Sequence, residues 1–492
     1  MRTQLHIQNH VLLALLPFSL FLLFSSTVSA QTWDQLGPDF VGPSHVDFAK
    51  AVSISANGNT VAFGLPKGGT SMGSRVQIFN LNGSSWTQKG NTILSSLGGG
   101  ESVSLSADGN IVCIGANQSG SSNGSNSGLV QVYQFNGTDW QQTGFDVIGD
   151  STGDSFGSKV AISSDGNIFA ASAPKADYNG ISDVGHVRVY GYNGTNWIQK
   201  GSPIVPKADR SLGVTLDMDA TGNTIITSGA NKTINGAGAV IVYAFNGTDW
   251  VQKGQEFLGV GTEGIGREVA ISADGNIIAY SSYSTARTGQ VKAFTFNGTD
   301  WIQIGSAMDG ENNNDLFGTS ISMSANGTIL AIGATDVNVT GTLQAGTVTV
   351  NQFDGTDWNQ AGQVVTGNVN FDKLGSALAL SSDGNTYVVA QAPSKATAFV
   401  YRISQPLSLD DKKFSKITLF PNPTNGNFSL SLGHQAETLN LKIFNMLGQV
   451  VLSRSYTSVE RVENLSVEDP GIYFIKISNS NGGSQTLRLL VN

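Results

Sequence analysis

The phrase FNGTDWIQIG at residues 296–305 returns as FNGTDWQQTG from Phe135, YNGTNWIQKG from Tyr192, FNGTDWVQKG from Phe245 and FDGTDWNQAG from Phe353. A second phrase keeps step with it: VSISANGN at Val52, VSLSADGN at Val103, VAISSDGN at Val160, VTLDMDATGN at Val214, VAISADGN at Val269, ISMSANGT at Ile321 and LALSSDGN at Leu378. Its turn glycines, Gly58, Gly109, Gly166, Gly222, Gly275, Gly327 and Gly384, are spaced by 51, 57, 56, 53, 52 and 57 residues. A repeat of this kind restricts the chain to an array of like units. There are seven of them.

Each unit reads as four strands. Val269-Ala270-Ile271-Ser272 alternates apolar and small polar residues, and Asp274-Gly275 turns it into Ile277-Ile278-Ala279-Tyr280. After a variable loop comes Val291 to Phe296, and Asn297-Gly298 turns it into a strand beginning at Trp301. Asn-Gly and Asp-Gly suit two-residue hairpins because type I′ turns need positive φ at both central positions. Four antiparallel strands in about 50 residues make one blade of a β-propeller. A linear stack would leave both end faces uncovered.

The tryptophans decide between ring and stack. All seven, Trp33, Trp86, Trp140, Trp197, Trp250, Trp301 and Trp358, occupy a W-x-Q-x-G phrase. Yet the seventh unit stops after its third strand, Ala398 to Arg402, whereas Thr32 to Gly37 carries only the tryptophan half of the phrase. The N-terminal strand is therefore expected to complete the last sheet, closing a ring and hiding its edges. Tryptophans recurring in every unit point to packing between neighbouring sheets. Gln35, Gln88 and their equivalents are expected to satisfy backbone or neighbouring-sheet partners.

Residues 1–30 read as a secretory signal peptide: Arg2, an apolar run from Val11 to Phe24, and small residues ending Val28-Ser29-Ala30, so that Gln31 begins the mature chain. The apolar run is short for a bilayer span and Pro17 interrupts it, and no later segment reads as a transmembrane span. Loss of Arg2 takes the formal charge from −9 to −10, which disfavours nucleic acid and anionic membrane surfaces. Cys113 is the sole cysteine, so stability must come from packing rather than from an internal disulfide.

The repeats resemble the FG-GAP propeller repeats of integrin α-chain heads and bacterial surface proteins. The carrying residues are Phe156-Gly157 and Phe317-Gly318, the weaker Leu212-Gly213 and Leu374-Gly375, and then Gly115-Ala116, Ala173-Pro174 and Gly333-Ala334. The resemblance implies a seven-bladed propeller over residues 31–403. FG-GAP repeats often carry an Asp-rich calcium loop; here the turn shrinks to Ser-x-Asp-Gly-Asn, too few oxygens for calcium. No metal or cofactor is expected. The loop acids Asp309 to Asp315, and Asp150 with Asp154, read as solvated loops.

In such a meander the tight hairpins share one face, and the long, varied connections share the other. The latter include Asn117 to Gly128, Pro174 to Gly185, Asp336 to Gly346 and Phe145 to Ser155. Variable loops on a rigid ring are where recognition resides. Their Asn, Ser, Thr and Gly, with Tyr178, Tyr283, Lys175 and Arg287 as candidate contacts, suit a glycan or a surface protein. Only His45, His186 and His434 follow the leader, and no HExxH, GxSxG or Cys-His pairing appears. The expectation is a non-catalytic binder. A polysaccharide hydrolase or lyase built on two acids from different blades is the alternative.

Beyond a polar linker at residues 404–415, the alternation in Phe428 to Leu432 and in Ile472 to Ile477 predicts a small antiparallel sandwich. Residues 416–492 resemble the C-terminal sorting domain of type IX secretion (Por secretion) cargo in Bacteroidetes. The resemblance rests on Pro421-Asn422-Pro423-Thr424-Asn425-Gly426, Asn445 to Gln449 with Gly448, Gly471-Ile472-Tyr473 and the apolar end Leu489-Leu490-Val491. It implies partnership with the type IX machinery and a place outside the cell or on its surface.

Overall fold

The chain is all-β, and its sheets follow from the repeat. The computed structural model describes residues 31–492 apart from 43–47, 67–72, 207–210, 231–236, 262, 284–287, 392–396, 405–416, 446–448, 468 and 479–483. The proposed leader with its cleavage junction at Ala30, His45, Arg287, Gly448 and the linker beyond Ser404 lie outside the described residues; Ser404 itself, read as the first linker residue, ends a strand. Among the described residues the strands form eight antiparallel sheets of four or five strands. Seven of them come one per repeat.

The first sheet is built from Ala51–Ile54, Thr60–Leu65, Ser74–Asn82 and Ser85–Gln88, in that order from one edge to the other. The next five repeat the order. The seventh contains Ala377–Leu380, Thr386–Ala390 and Thr397–Ser404, and its fourth strand is Thr32–Gln35. The register places Trp33 opposite Ile403 and Gln35 opposite Tyr401, so the borrowed strand expected from the half-phrase is present.

Hydrophobic cores lie between sheets. Val61 and Phe63 of the first sheet pack with Val388 and Val400 of the seventh. Ala62 and Ile78 pack with Val112 and Ile114 of the second. The same sharing joins second to third, third to fourth, fourth to fifth, fifth to sixth and sixth to seventh. Each sheet therefore buries both faces.

The repeated phrase explains itself in these interfaces. Trp86 Nε1 donates to Leu36 O at 2.7 Å, Trp140 to Lys89 O at 2.7 Å, Trp197 to Thr143 O at 2.8 Å and Trp250 to Lys200 O at 2.8 Å. Trp301 donates to Lys253 O at 2.8 Å, Trp358 to Ile304 O at 3.0 Å and Trp33 to Ala361 O at 2.8 Å. Every acceptor lies three residues after the tryptophan of the preceding sheet, so the seven bonds form a closed cycle. A second cycle uses backbone alone: Ala56 N donates to Ala107 O, Ala107 to Ser164, Ser164 to Ala220, Ala220 to Ala273, Ala273 to Ala325, Ala325 to Ser382, and Ser382 back to Ala56.

The phrase's last glycine is a packing requirement. A Cβ on Gly305, whose φ is +66°, would stand 2.6 Å from Trp358 Cδ1, and the other six glycines meet their tryptophans in the same way. The glutamines bond within their own strand: Gln303 Nε2 donates to Gly305 O at 3.0 Å and Gln35 to Gly37 O at 3.0 Å. Gln142 instead reaches Asp146 Oδ1 at 2.6 Å.

The eighth sheet, residues 418–491, holds Thr418–Phe420, Asn427–Phe444, Val450–Ser466, Gly471–Ser478 and Ser484–Val491. Two long strands curl over Leu430, Leu441, Ile443, Ile475 and Leu489, all fully buried. Thr424 N bonds Leu490 O at 2.9 Å, bringing the first and last segments together into a nearly closed sandwich.

Candidate functional site

The long connections build one another. In the second repeat, Asn123 Nδ2 donates to Gly149 O at 2.7 Å, and Phe156 N bonds Ser127 O at 3.0 Å. In the sixth, Phe371 N bonds Leu343 O at 2.8 Å and Leu374 N bonds Ala345 O at 2.9 Å. Buried acids staple these turns. Asp154 Oδ2 accepts Ser151 N at 2.9 Å, Asp315 Oδ2 accepts Asn312 N at 2.7 Å, and Asp372 Oδ2 accepts Asn368 N at 2.9 Å and Val369 N at 2.8 Å. Asp154 and Asp315 are thus buried anchors rather than solvated loop residues. Backbone strain collects in the same loops, where Asn126, Ser155, Asn179, Asp183, Leu316, Gln344, Phe371 and Lys373 hold positive φ.

The densest polar constellation is on the third sheet, where His186–Tyr192 meets the connection after the second. Arg188 lies over the Phe156 ring at 4.1 Å, donates from Nη1 to Asp150 Oδ1 at 2.9 Å and from Nη2 to Ile148 O at 2.8 Å. His186 Nε2 stands 3.9 Å from Asp150 Oδ2 without a hydrogen-bond partner. Burial, reinforced by Arg188, pushes the imidazole down to about 4, so it is neutral at pH 7. Burial also raises the Asp154 carboxyl, with Asp150 and Asp177 adding to the effect. Asp150 itself stays largely exposed, so it faces outward while the neutral imidazole beside it is buried.

The candidate contacts read from sequence fall in two places. Tyr178 and Lys175 are exposed on the loop above this constellation, where Tyr178 N and O pair with Ile181 at 3.0 Å. Tyr283 ends a strand of the fifth sheet; its hydroxyl contacts Thr319 Oγ1 at 3.0 Å and Arg267 covers its ring at 4.7 Å. Tyr283 is therefore held in place by its neighbours, whereas Tyr178 presents its ring to solvent. Sequence reading took Asp150 for a solvated loop acid and passed over Arg188, whose only signal was a cation inside an otherwise apolar strand, HVRVY.

Charged groups also meet on the edge strands of the third to fifth sheets. Lys159 Nζ pairs with Glu268 Oε1 at 3.2 Å, joining the third sheet to the fifth. Asp217 of the fourth sheet accepts Met218 N at 2.8 Å and Ile271 N at 3.0 Å. Burial pushes its carboxyl up to about 7, and Glu268 and Asp219 oppose its ionisation further. Ser53, Ser104 and Ser322 accept the same bond from the next sheet, from Leu105, Ile162 and Leu380. The small polar residues of the second repeated phrase are thus inter-sheet acceptors, and Asp217 takes that role with a titratable group.

Residues 418–492 match the family of secretion system C-terminal sorting domains. That segment ties the chain to type IX secretion. The sheets of the repeats resemble the crystal structure of the β-propeller domain of Cps50 (Swd1) from Myceliophteria thermophila, with TM-score 0.50 and 9% identity, over 75% of this chain and 99% of that one. Ulvan lyase NLR42 from Nonlabens ulvanivorans is 26% identical over 127 residues, 26% of this chain and 24% of the lyase. The chain therefore spans about a quarter of that relative's length. Among the described residues no helix is long and apolar enough to cross a membrane.

Proposed function

We propose that residues 31–403 are a seven-bladed β-propeller, locked by its N-terminal strand, that acts as a non-catalytic binding or adhesion module outside the cell. The C-terminal domain delivers it through the type IX system. The carrying observation is the pair of seven-membered hydrogen-bond cycles, which makes a rigid ring whose loops are stapled to one another. A rigid, strained loop surface favours recognition, because little order is left to impose on binding. Tyr178, Lys175 and the exposed Asp150 supply the polar and aromatic contacts that a glycan or a surface protein would meet.

A second reading, a polysaccharide-acting hydrolase or lyase, draws on Asp217, whose raised carboxyl beside Glu268 has the character of an acid–base pair, and on the partial likeness to an ulvan lyase. One experiment separates the two. The purified chain is incubated with a polysaccharide panel, and both retention and new reducing or unsaturated ends are measured. Retention without new ends supports the binding module. New ends that vanish in Asp217→Asn support the enzyme.

A further inference from the structure

The third strand of every repeat sheet carries a residue opposite the glutamine of W-x-Q. In six sheets that residue is aromatic: Phe79, Tyr133, Tyr190, Tyr243, Phe294 and Tyr401. In the sixth it is Asn351, opposite Gln360. The two preceding positions on the same face are also small, Thr347 and Thr349, where the third sheet carries His186 and Arg188. The missing ring leaves space. A cavity of about 430 Å³ opens there, lined by Met308, Phe317 and Trp358 and by the acids Asp309, Glu311, Asp315 and Asp357.

The first sheet shows how such a space is otherwise filled. Phe40 lies 5.0 Å from Phe79 and 5.5 Å from Trp86, one ring plugging the place beside the next. Beside the sixth sheet Met308 holds the place of Phe40, and a flexible thioether chain stands where the ring would be. Asn351 lines the cavity and is only 8% exposed, and its side-chain Nδ2 is buried with no hydrogen-bond partner. A buried amide donor without a partner is costly and is expected to find one.

We propose that this cavity binds one neutral hexose unit of a glycan. The size is that of a small-ligand pocket, at the lower end of roughly 300–1,000 Å³. Met308, Phe317 and Trp358 meet the apolar C–H face of the sugar ring. The Asn351 side-chain amide pairs with a ring hydroxyl, and the carboxylates accept from others. Asp357 accepts Ser306 N at 2.7 Å and Trp358 N at 2.9 Å, bonds that hold its carboxyl below the usual range and keep it anionic. Four acidic side chains around the cavity, Asp309, Glu311, Asp315 and Asp357, repel uronates and sulfated sugars. The site lies apart from the Tyr178 loop and does not depend on that surface binding anything.

The test titrates the purified full chain with methyl glucoside, galactoside and mannoside, and with methyl glucuronide, by calorimetry. Saturable binding of at least one neutral glycoside is expected, with the glucuronide about tenfold or more weaker. Asn351→Tyr restores the ring that most of the other sheets carry; it should fold with an equal or higher melting temperature and lose about tenfold or more in affinity. Thr349→Gln, the residue found at Gln77 and Gln131, fills the cavity from another side and should do the same. Tyr178→Ala should bind as the unaltered chain does. Absence of neutral-sugar binding, an equally tight glucuronide, or unaltered binding in both filled variants overturns the proposal.

Discussion

Trp33 donates its indole N–H to the carbonyl of Ala361 at 2.8 Å, across 328 residues of chain, while its ring packs 4.9 Å from Tyr387. One side chain thus joins the N-terminal strand to the sixth and seventh sheets together. A buried indole removes roughly 150–250 Å² from water. Trp33→Ala should therefore cost about 3–5 kcal/mol in guanidinium unfolding. Trp33→Phe keeps a ring and should cost less. An unaltered unfolding midpoint in Trp33→Ala would contradict the locking role.

The glycines of the repeated phrase differ in what surrounds them. Gly305 and Gly298 both have positive φ, +66° and +104°, but only Gly305 has Trp358 where a Cβ would go; around Gly298 nothing lies within 4 Å. Alanine strains the backbone at both sites, so the difference reports packing. Gly305→Ala should lose about 1–3 kcal/mol more than Gly298→Ala, measured by urea unfolding of the two variants side by side.

Asp217 predicts a pH dependence. Its carboxyl, ordinarily near 3.8, is pushed up to about 7 chiefly by burial, so the folded chain holds a proton that the unfolded chain releases. This contribution to stability is whole below about pH 4 and is lost as pH rises through 7. Asp217→Asn removes it. The variant's unfolding midpoint should gain on that of the unaltered chain as pH is raised from about 5 to 8, and a constant difference would count against the account.

The sorting domain makes a cellular prediction. A chain ending at Lys416 lacks the segment that matches the sorting family and should accumulate in the periplasm, scored by fractionation and immunoblotting. Its normal appearance in the medium would refute export through that domain.

Much of this fold was legible because a repeat multiplies every signal. The half-phrase at Thr32 named the borrowed strand, and the recurrence of tryptophan announced its packing role. The glutamines were harder, since spacing cannot tell a bond to Gly305 O from one to a neighbouring sheet. The pairing of Arg188 with Asp150, and of Lys159 with Glu268, was invisible because the partners lie 38 and 109 residues apart and come from different repeats. Asn351 was in plain view: VTVNQF set beneath VQVYQF shows an amide where a ring belongs. Its meaning appears only when the space it leaves is seen.

The strand Thr32–Gln35 is among the earliest parts of this chain to be synthesised, and its partner, Thr397–Ser404, arrives hundreds of residues later. Until then the last sheet has no outer edge and the first stands unsupported on one side. Final assembly is consequently a late, long-range event, with the slow folding that such distant pairing brings. A polypeptide that stays open until its far end appears is one that can still be threaded.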